Sequence, residues 1–199
     1  MKKVSFTLLI LLAFNANGQA FQQGRSYISA GIGTGNFFSV IFKDIVSASN
    51  RTDIKHRTSG PFYFKYEYGL SDVTGFGLNY AYLNDEITYT QQTDTGLLNA
   101  KVGRRTQSIL FRFNFHLSKS EVIDPYIGLG FGYRTASWYY EDNKGGNEFL
   151  EQDFNVSRYF PLGAELTFGT RFMFTPNIGA YTEIGISKGI IQVGLTGSF

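Results

Sequence analysis

The sequence contains no cysteine, and this absence excludes a disulfide framework and a thiolate metal site. Only two histidines are present, His56 and His116, too few for a multi-histidine metal centre. No cofactor is therefore predicted. The formal net charge is only +2, so the chain offers no basic excess for binding nucleic acid. After the N-terminal segment, no run of 18 apolar residues exists that would make a membrane-spanning helix.

The N-terminal segment has the composition of a secretory signal peptide. Residues 1–3 include two lysines and are basic, residues 4–14 are mostly apolar, and small or polar residues follow. We predict cleavage after Gly18 or Ala20. The alternative is an N-terminal anchor helix, but such a helix needs about 20 apolar residues. The predicted division is a signal peptide at 1–20 and one domain at 21–199.

Aromatic residues and glycines alternate along the rest of the chain, which has 20 Phe, 13 Tyr and 23 Gly. In the closing stretch Ile191, Val193, Leu195 and Phe199 are separated by polar or small residues. This period-two pattern is typical of a strand with one apolar face. Seven earlier segments show the same pattern. The eight predicted strands are 27–35, 61–69, 74–83, 105–117, 125–134, 160–170, 178–187 and 190–199.

The connections between these strands differ in length in a regular way. Three of them are long, at 36–60, 84–104 and 141–158, and the others are short. The second and third are polar, whereas the first half of 36–60 is apolar and could extend the first strand or form a short amphipathic helix. An antiparallel membrane barrel with both termini in the periplasm has short turns on that side and longer loops outside. The alternation loses its phase near Trp138, where we predict a β-bulge. The predicted fold class is all-β: an eight-stranded antiparallel up-and-down transmembrane β-barrel with short periplasmic turns and longer extracellular loops.

Side-chain volume predicts which face of the barrel points outward. A soluble barrel with an apolar interior and a bound ligand is the alternative, but eight strands enclose room for only modest side chains. The apolar face carries most of the phenylalanines, whereas the other face carries many glycines. We therefore predict that the aromatic face contacts lipid. Two interfacial aromatic girdles are expected. The outer one comprises Tyr80, Tyr82, Trp138, Tyr139, Tyr140, Tyr159 and Phe160, and the inner one comprises Tyr66, Tyr68, Phe172, Phe174 and Phe199.

The same register places six charged residues in the barrel interior, three cations and three anions. Buried charges persist when they are paired, so we predict a network of salt bridges that fills the lumen. The alternative is a narrow pore lined by charge, although selective pores usually carry one sign. The predicted interior ion pairs involve Lys65, Glu67, Arg112, Arg134, Glu165 and Glu183.

Four motifs are distinctive: Tyr66–Asp72, Pro125–Tyr133, Thr182–Gly185 and the closing strand. They resemble the small outer-membrane β-barrel family, or porin family, of Bacteroidetes-like Gram-negative bacteria, and the resemblance covers Gln23–Phe199. The chain is also similar to the barrel half of OmpA-type proteins, without their peptidoglycan-binding domain. The closing strand resembles the signal that the barrel-assembly machinery reads, although Gly197 stands where an apolar residue is usual. The signal residues that this resemblance implies are Gln192, Gly194 and Phe199.

The resemblance implies an outer-membrane location and contact with outer-membrane lipids, but the fold is compatible with several functions. We expect a non-enzymatic protein with a structural role, or one that binds an unidentified extracellular partner through its loops. One alternative is a narrow passive pore for small solutes or ions. Another is a lipid-modifying enzyme, because His116 and Ser118 resemble the base and nucleophile of lipid A deacylases. We expect instead that His116 faces inward and forms a hydrogen bond in the lumen.

Overall fold

The structure is a computed structural model that describes residues 19–35, 51–93, 96–143 and 161–199. These residues form eight β-strands, because the alternating side chains suit a surface with two different faces. The predicted signal peptide up to Gly18 lies outside the described residues. The strands are β1 (Ser26–Thr34), β2 (Arg51–Gly69), β3 (Thr74–Thr93), β4 (Gly96–His116), β5 (Ile123–Asp142), β6 (Leu162–Met173), β7 (Ile178–Ile186) and β8 (Ile191–Ser198).

The strands form a closed barrel in which each pairs with its neighbours in sequence order, and β8 pairs with β1. All eight pairings are antiparallel, from Ser26 opposite Tyr68 in the first pair to Tyr27 opposite Ser198 in the closing pair. We call the end with Ser26 and Ser198 the terminal end, and the opposite end the loop end. The structure confirms the predicted eight-stranded antiparallel barrel. No helix in the described residues is long and apolar enough to cross a membrane.

The two faces of the barrel wall differ in the way that the sequence predicts. Phe131 is 59% exposed on the outer face, whereas Arg112, on the neighbouring strand, is 3% exposed on the inner face. An uninterrupted exposed apolar belt of this kind is typical of a surface that contacts lipid. The exposed belt includes Phe62, Phe64, Leu78, Ile109, Phe111, Leu129, Phe131, Phe168, Ile184 and Leu195.

At the loop end, β2 to β5 continue beyond the other four strands as a projecting sheet. The prediction of loops at 84–104 and in part of 36–60 is wrong, because β2 begins at Arg51 and the hairpin of β3 and β4 is paired as far as Thr93 and Gly96. The β3 extension of ten residues corresponds to roughly 30 Å of strand. The projecting sheet lies beyond the apolar belt and is therefore rich in polar residues. This polar composition is why the sequence predicts loops there. Most of the predicted connection 141–158 lies outside the described residues.

The projecting sheet has the opposite polarity to the belt. Its inner face holds a buried apolar cluster of Ile87, Tyr89, Ala100 and Trp138, with Ile87 fully buried. Ile54, Leu98, Val102 and Tyr140 pack against this cluster. Apolar residues face inward here because the outer face meets water instead of lipid. The placement of Trp138 and Tyr140 in an outer aromatic girdle is therefore wrong.

The structure also corrects the position of the β-bulge. The pairing of β4 with β5 keeps one register from Ala100 opposite Asp142 to His116 opposite Tyr126, so Trp138 does not lie at a bulge. Aromatic residues are consecutive there because both faces of the projecting sheet carry aromatic side chains. A bulge occurs instead in β2, between Ser59 and Phe62. The extra residue at this point exchanges the inward and outward positions along β2.

Candidate functional site: the charged barrel interior

Arg112 lies at the centre of the barrel interior and connects β4 with β6 and β7. Its Nε donates a hydrogen bond to the Asn114 side chain at 2.7 Å. Its Nη1 donates to Glu165 at 3.1 Å, and its Nη2 donates to Glu183 and to Thr167 at 2.8 Å each. A guanidinium presents its donors in a fixed fork, so these partners hold the side chain in one position. The contacts cross the lumen between strands that are not neighbours.

Glu183 of β7 accepts hydrogen bonds from two further directions around the barrel. Lys65 of β2 donates to one carboxylate oxygen at 2.8 Å, and the hydroxyl of Tyr126 of β5 donates to the other at 2.7 Å. Lys65 also donates to the Gln192 side chain of β8 at 2.8 Å. Charges taken out of water need this degree of pairing and hydrogen bonding to persist. The carboxylate thus links β2, β4 and β5 to β7.

A second cluster lies between Arg112 and the terminal end. Glu67 accepts hydrogen bonds from Asn114 at 2.7 Å and from Arg171 at 2.6 Å. Arg171 also lies 3.5 Å from a carboxylate oxygen of Asp124. Since Asn114 contacts both Glu67 and Arg112, the two clusters form one continuous set, which we call the lumen network. It comprises Lys65, Glu67, Asn79, Arg112, Asn114, His116, Asp124, Tyr126, Glu165, Arg171 and Glu183.

His116 occupies the lumen network between two carboxylates. Its Nδ1 lies 2.8 Å from Asp124 and its Nε2 lies 2.8 Å from Glu67. A neutral imidazole has one nitrogen without a proton, which would repel the carboxylate that it faces. This geometry therefore suits a doubly protonated ring. Phe21 covers the ring with a stacked contact, at 3.4 Å between centroids.

Glycines on the inner faces of β3 and β5 leave the room that these charged side chains occupy. A β-carbon at Gly128 would collide with the guanidinium of Arg112, and one at Gly75 would collide with the carboxylate of Glu67. A β-carbon at Gly130 would lie 2.5 Å from Glu165. The alternation of glycine with aromatic residues in β5 therefore has a steric reason. The aromatic residues face outward, and the glycines make space for the lumen network.

The structure places five of the six predicted interior charges together. Lys65, Glu67, Arg112, Glu165 and Glu183 are buried and linked by the contacts above. Arg134 does not join them. It lies nearer the loop end and lines a separate cavity with Lys188.

The residues of the predicted assembly signal lie along β8 at different depths. Gln192 faces inward and is 1% exposed, and it also donates a hydrogen bond to Ser187 at 2.8 Å. Gly194 pairs with Gly31 of β1 at the seam where the barrel closes. Phe199 is 68% exposed at the terminal end, and its backbone N–H donates to the carbonyl of Ser26 at 3.0 Å. Recognition by the assembly machinery stays a prediction.

Sequence reasoning missed several members of the lumen network, chiefly Asp124 and Arg171. Residues 171–177 were predicted as a turn, but β6 continues to Met173. Extending the alternation of β6 by one step places Arg171 on the inner face. Asp124 likewise lies one step before the predicted start of the fifth strand, and it is fully buried. The alternation along both strands could therefore have identified Arg171 and Asp124 as interior residues. For the neutral partners Asn79 and Asn114, the sequence indicates only that their side chains face inward.

Neither a metal site nor a histidine–serine pair is evident in the described part of the chain. Within those ranges, no group of three or more histidine, cysteine, aspartate or glutamate side chains could hold a metal ion. The hydroxyl of Ser118 accepts a hydrogen bond from the Ser120 backbone N–H at 3.0 Å, as in a local turn. Both ring nitrogens of His116 face carboxylates in the lumen. This arrangement does not favour a role for His116 as a base on the lipid side.

Beyond the apolar belt, at the loop end, the outer face of the projecting sheet carries a separate polar cluster. Lys101 lies 2.6 Å from Glu141 and 3.8 Å from Glu86. The hydrogen bond to Glu141 raises the pKa of the Lys101 ammonium. The hydroxyl of Tyr139 contacts Glu86 at 3.1 Å, and partial burial raises the pKa of this tyrosine. These exposed pairs suit an aqueous surface and contribute little to stability.

Comparisons with known proteins agree with this architecture. A family model described as outer membrane protein beta-barrel domain matches residues 6–199. A comparison with curated proteins gives no match.

Similar solved structures include outer-membrane barrels of two bacteria. Ail of Yersinia pestis, in complex with the heparin analogue sucrose octasulfate, is 16% identical, with 89% of this chain and 97% of that chain covered and a TM-score of 0.44. OprG of Pseudomonas aeruginosa is 13% identical, with 92% and 99% covered and a TM-score of 0.46. The N-terminal barrel domain of OprF from the same organism is 13% identical, with 89% and 98% covered and a TM-score of 0.42. The family match spans nearly the whole chain, and the chain belongs to the outer-membrane protein beta-barrel domain family.

Proposed function

We propose that this protein is a closed, non-enzymatic outer-membrane barrel that holds the projecting sheet outside the cell for contact with an extracellular partner. The observation that carries the proposal is the lumen network, in which Arg112 joins β4 to Glu165 of β6 and Glu183 of β7 across the interior. Well-satisfied buried polar networks are rigid, so these side chains are held in place across the lumen. The barrel then serves as a membrane anchor.

The projecting sheet supports the second half of the proposal. In barrels of this family the short turns face the periplasm, so the loop end faces the exterior. The sheet has its own apolar cluster on the inner face, around Trp138, and a charged outer face that includes Lys101 and Glu141. Such a sheet can keep its shape in water without help from lipid. A shaped polar surface on a rigid support is suited to binding a partner.

Single-channel recording in planar bilayers tests the closed state. We expect no steady openings from the wild-type protein, because Arg112 and Glu165 occupy the lumen. We expect Arg112→Ser to produce small openings, since it removes the side chain that crosses the interior. Arg57→Ser, which changes an exposed arginine at the loop end, is the matched control and should stay silent. Steady wild-type openings that disappear when Arg112 or Glu165 is changed would instead establish the narrow pore.

Mass spectrometry of lipid A after incubation with the protein tests the enzyme alternative. We expect no change of mass, because both ring nitrogens of His116 are occupied by Asp124 and Glu67. A loss of acyl chains from lipid A that is absent with His116→Ala would overturn the non-enzymatic proposal.

The assembly machinery is the partner that we propose for biogenesis, through Gln192, Gly194 and Phe199. The exposed ring of Phe199 at the terminal end supports this, because it stays available after the strand is paired. Deleting Phe199 should slow the appearance of the folded barrel in the outer membrane, as followed by unheated gel mobility. Deleting Lys119, an exposed residue in the connection between β4 and β5 at the same end of the barrel, is the control and should leave the assembly rate unchanged. Equal assembly rates for the wild type and the Phe199 deletion would contradict the proposal.

A further inference from the structure

Among the described residues, the barrel wall is incomplete near the loop end. β7 ends at Ile186, opposite Leu166 of β6, while β6 continues from Leu166 to Leu162 along β5. In the described chain, the β6 residues 162–165 therefore have no β7 partner. The chain turns instead through residues 187–190 into β8. This leaves a lateral opening between β6 and the β7–β8 turn.

A cavity of about 100 Å³ lies behind this opening. Gly163 contributes to its size because it has no side chain, and Ala164 contributes only a methyl group. One water needs only about 10–15 Å³ of such space, so the cavity has room for a tetrahedral anion. The lining residues with polar side chains are Tyr63, Ser108, Arg134, Glu165, Ser187 and Lys188.

The charge in the cavity is positive. Lys188 is buried at 8% exposure, and its ammonium donates to the hydroxyl of Thr106 at 3.2 Å. Among the described residues, neither Lys188 nor Arg134 forms an ion pair. Glu165 lies at the cavity but is already paired with Arg112 at 3.1 Å, and it accepts from Asn79 at 2.8 Å. A buried ammonium and a partly buried guanidinium without an anion are costly, and an anionic ligand would relieve that cost.

The opening lies at the edge of the exposed apolar belt. Leu162 and Ile186, on its two sides, are each 67% exposed on the outer face. The polar headgroups of a bilayer begin where such a belt ends. A group that enters the cavity from the side therefore comes from the headgroup region, and one that enters along the lumen comes from the external water.

We propose that Lys188 and Arg134 form a binding site for a single phosphate group in this cavity. An arginine and a lysine together supply directed donors and a compact charge, which is the usual pair for phosphate. The phosphate belongs either to an outer-leaflet lipid that reaches through the opening or to a free oxyanion. The two sources share one chemistry and differ in whether an acyl chain is needed.

Isothermal titration of the detergent-purified protein separates the sources. The two probes are inorganic phosphate and a short-chain phosphatidic acid, and a diacylglycerol with the same chains is the control without phosphate. We expect one site per chain for phosphatidic acid and none for diacylglycerol. Saturable binding of inorganic phosphate as well would show that a free anion is sufficient. Binding of phosphatidic acid alone would identify the lipid as the source.

Two variants assign the site to residues. Lys188→Met and Arg134→Met each remove a charge-assisted contact, so each should weaken binding by about tenfold or more. Lys119→Met, on an exposed turn at the terminal end, removes the same charge and should bind like the wild type. Lys188→Met removes a buried cation and Arg134→Met a partly buried one, and neither cation has an ion pair among the described residues. We therefore expect both variants to fold, as checked by the gel mobility of unheated samples. No binding of either phosphate probe to the wild type, or equal binding by folded Lys188→Met, would overturn the proposal.

Discussion

Arg112 shows at the scale of one residue how the barrel interior is specified. Each of the three nitrogens of its guanidinium donates a hydrogen bond to a side chain, and none of these hydrogen bonds is to the backbone. Removing one member of a buried pair leaves the other charge without compensation, which costs more than the pair itself contributes. The main effect of losing Arg112 is therefore the buried carboxylate charge that stays without compensation, and not the loss of the hydrogen bonds of Arg112 themselves.

We predict that Arg112→Met destabilises the barrel by about 3–5 kcal/mol, because Glu165 and Glu183 would keep their charges in a buried site. Urea titration in detergent, followed by circular dichroism, measures this change. Arg57→Met removes the same charge from an exposed position and should change stability by less than about 0.5 kcal/mol. Equal unfolding midpoints for the two variants would contradict the prediction.

Lys188 should make anion binding depend on pH. Burial, followed by repulsion from Arg134 and Arg104, lowers the pKa of Lys188 from 10.5 to about 7, while Glu165 acts in the opposite direction. Tyr63 also lines the cavity, and a phenol is neutral in this range. The ammonium form therefore decreases as pH rises through about 7.

We accordingly predict that sulfate, whose charge is constant near neutral pH, binds up to about tenfold more weakly at pH 8 than at pH 6. Isothermal titration at several pH values measures this change. Lys188→Met should bind weakly and without this pH dependence. A wild-type affinity that is constant from pH 6 to pH 8 would show that Lys188 does not contact the anion.

At the scale of the strand, alternation was enough to predict the parts that cross the membrane. In β4, Phe111 and Arg112 differ so much in character that period two assigns both faces. The projecting sheet was not predicted, because its polar residues outnumber the apolar ones and resemble a loop. Ile87 and Tyr89 do alternate with polar neighbours, but they lie on the face that holds glycines lower in the same strand. A single rule for which face is apolar fails where the surroundings change from lipid to water.

Trp138 tests whether the projecting sheet has an independent core. We predict that Trp138→Ala loosens this sheet by about 3–5 kcal/mol of local stability, since it removes a buried aromatic side chain. Hydrogen exchange should then increase in residues 84–105 and 135–142, with no change in the unheated gel mobility of the barrel. Tyr133→Ala, which changes an outward-facing aromatic residue on the same strand, is the control. Uniform loss of protection in the whole barrel would contradict a separate core.

At the scale of the whole molecule, a short N-terminal segment closes the terminal end. The backbone N–H of Ala20 donates to the carbonyl of Ser120 at 2.9 Å, and Ala20 is 3% exposed. Phe21 is 1% exposed and stacks on His116. A chain end at Phe21 would place a charged ammonium in this buried position and would remove the hydrogen bond of Ala20.

We therefore predict that the mature protein begins at Gln19, through cleavage after Gly18 and not after Ala20. Intact-mass measurement of protein extracted from outer membranes distinguishes the two cases by the mass of one glutamine and one alanine residue. Replacing Gly18 by a large residue should impair processing, whereas the same replacement at Gln22, outside both candidate cleavage positions, should not. A mature chain that begins at Phe21 would contradict the prediction.

The reversal of polarity along β2 to β5 has a consequence for engineering. The hairpin of β3 and β4 is joined by the residues between Thr93 and Gly96, at the far end of a sheet that carries its own apolar cluster. A foreign peptide inserted there is separated from the lipid-facing belt by about ten residues of each strand. The barrel can then assemble through its own strands, and with the loop end facing the exterior, as proposed, the guest sequence would lie outside the cell. The molecule thus has the layout of a surface-display carrier, with anchor and platform encoded in the same strands.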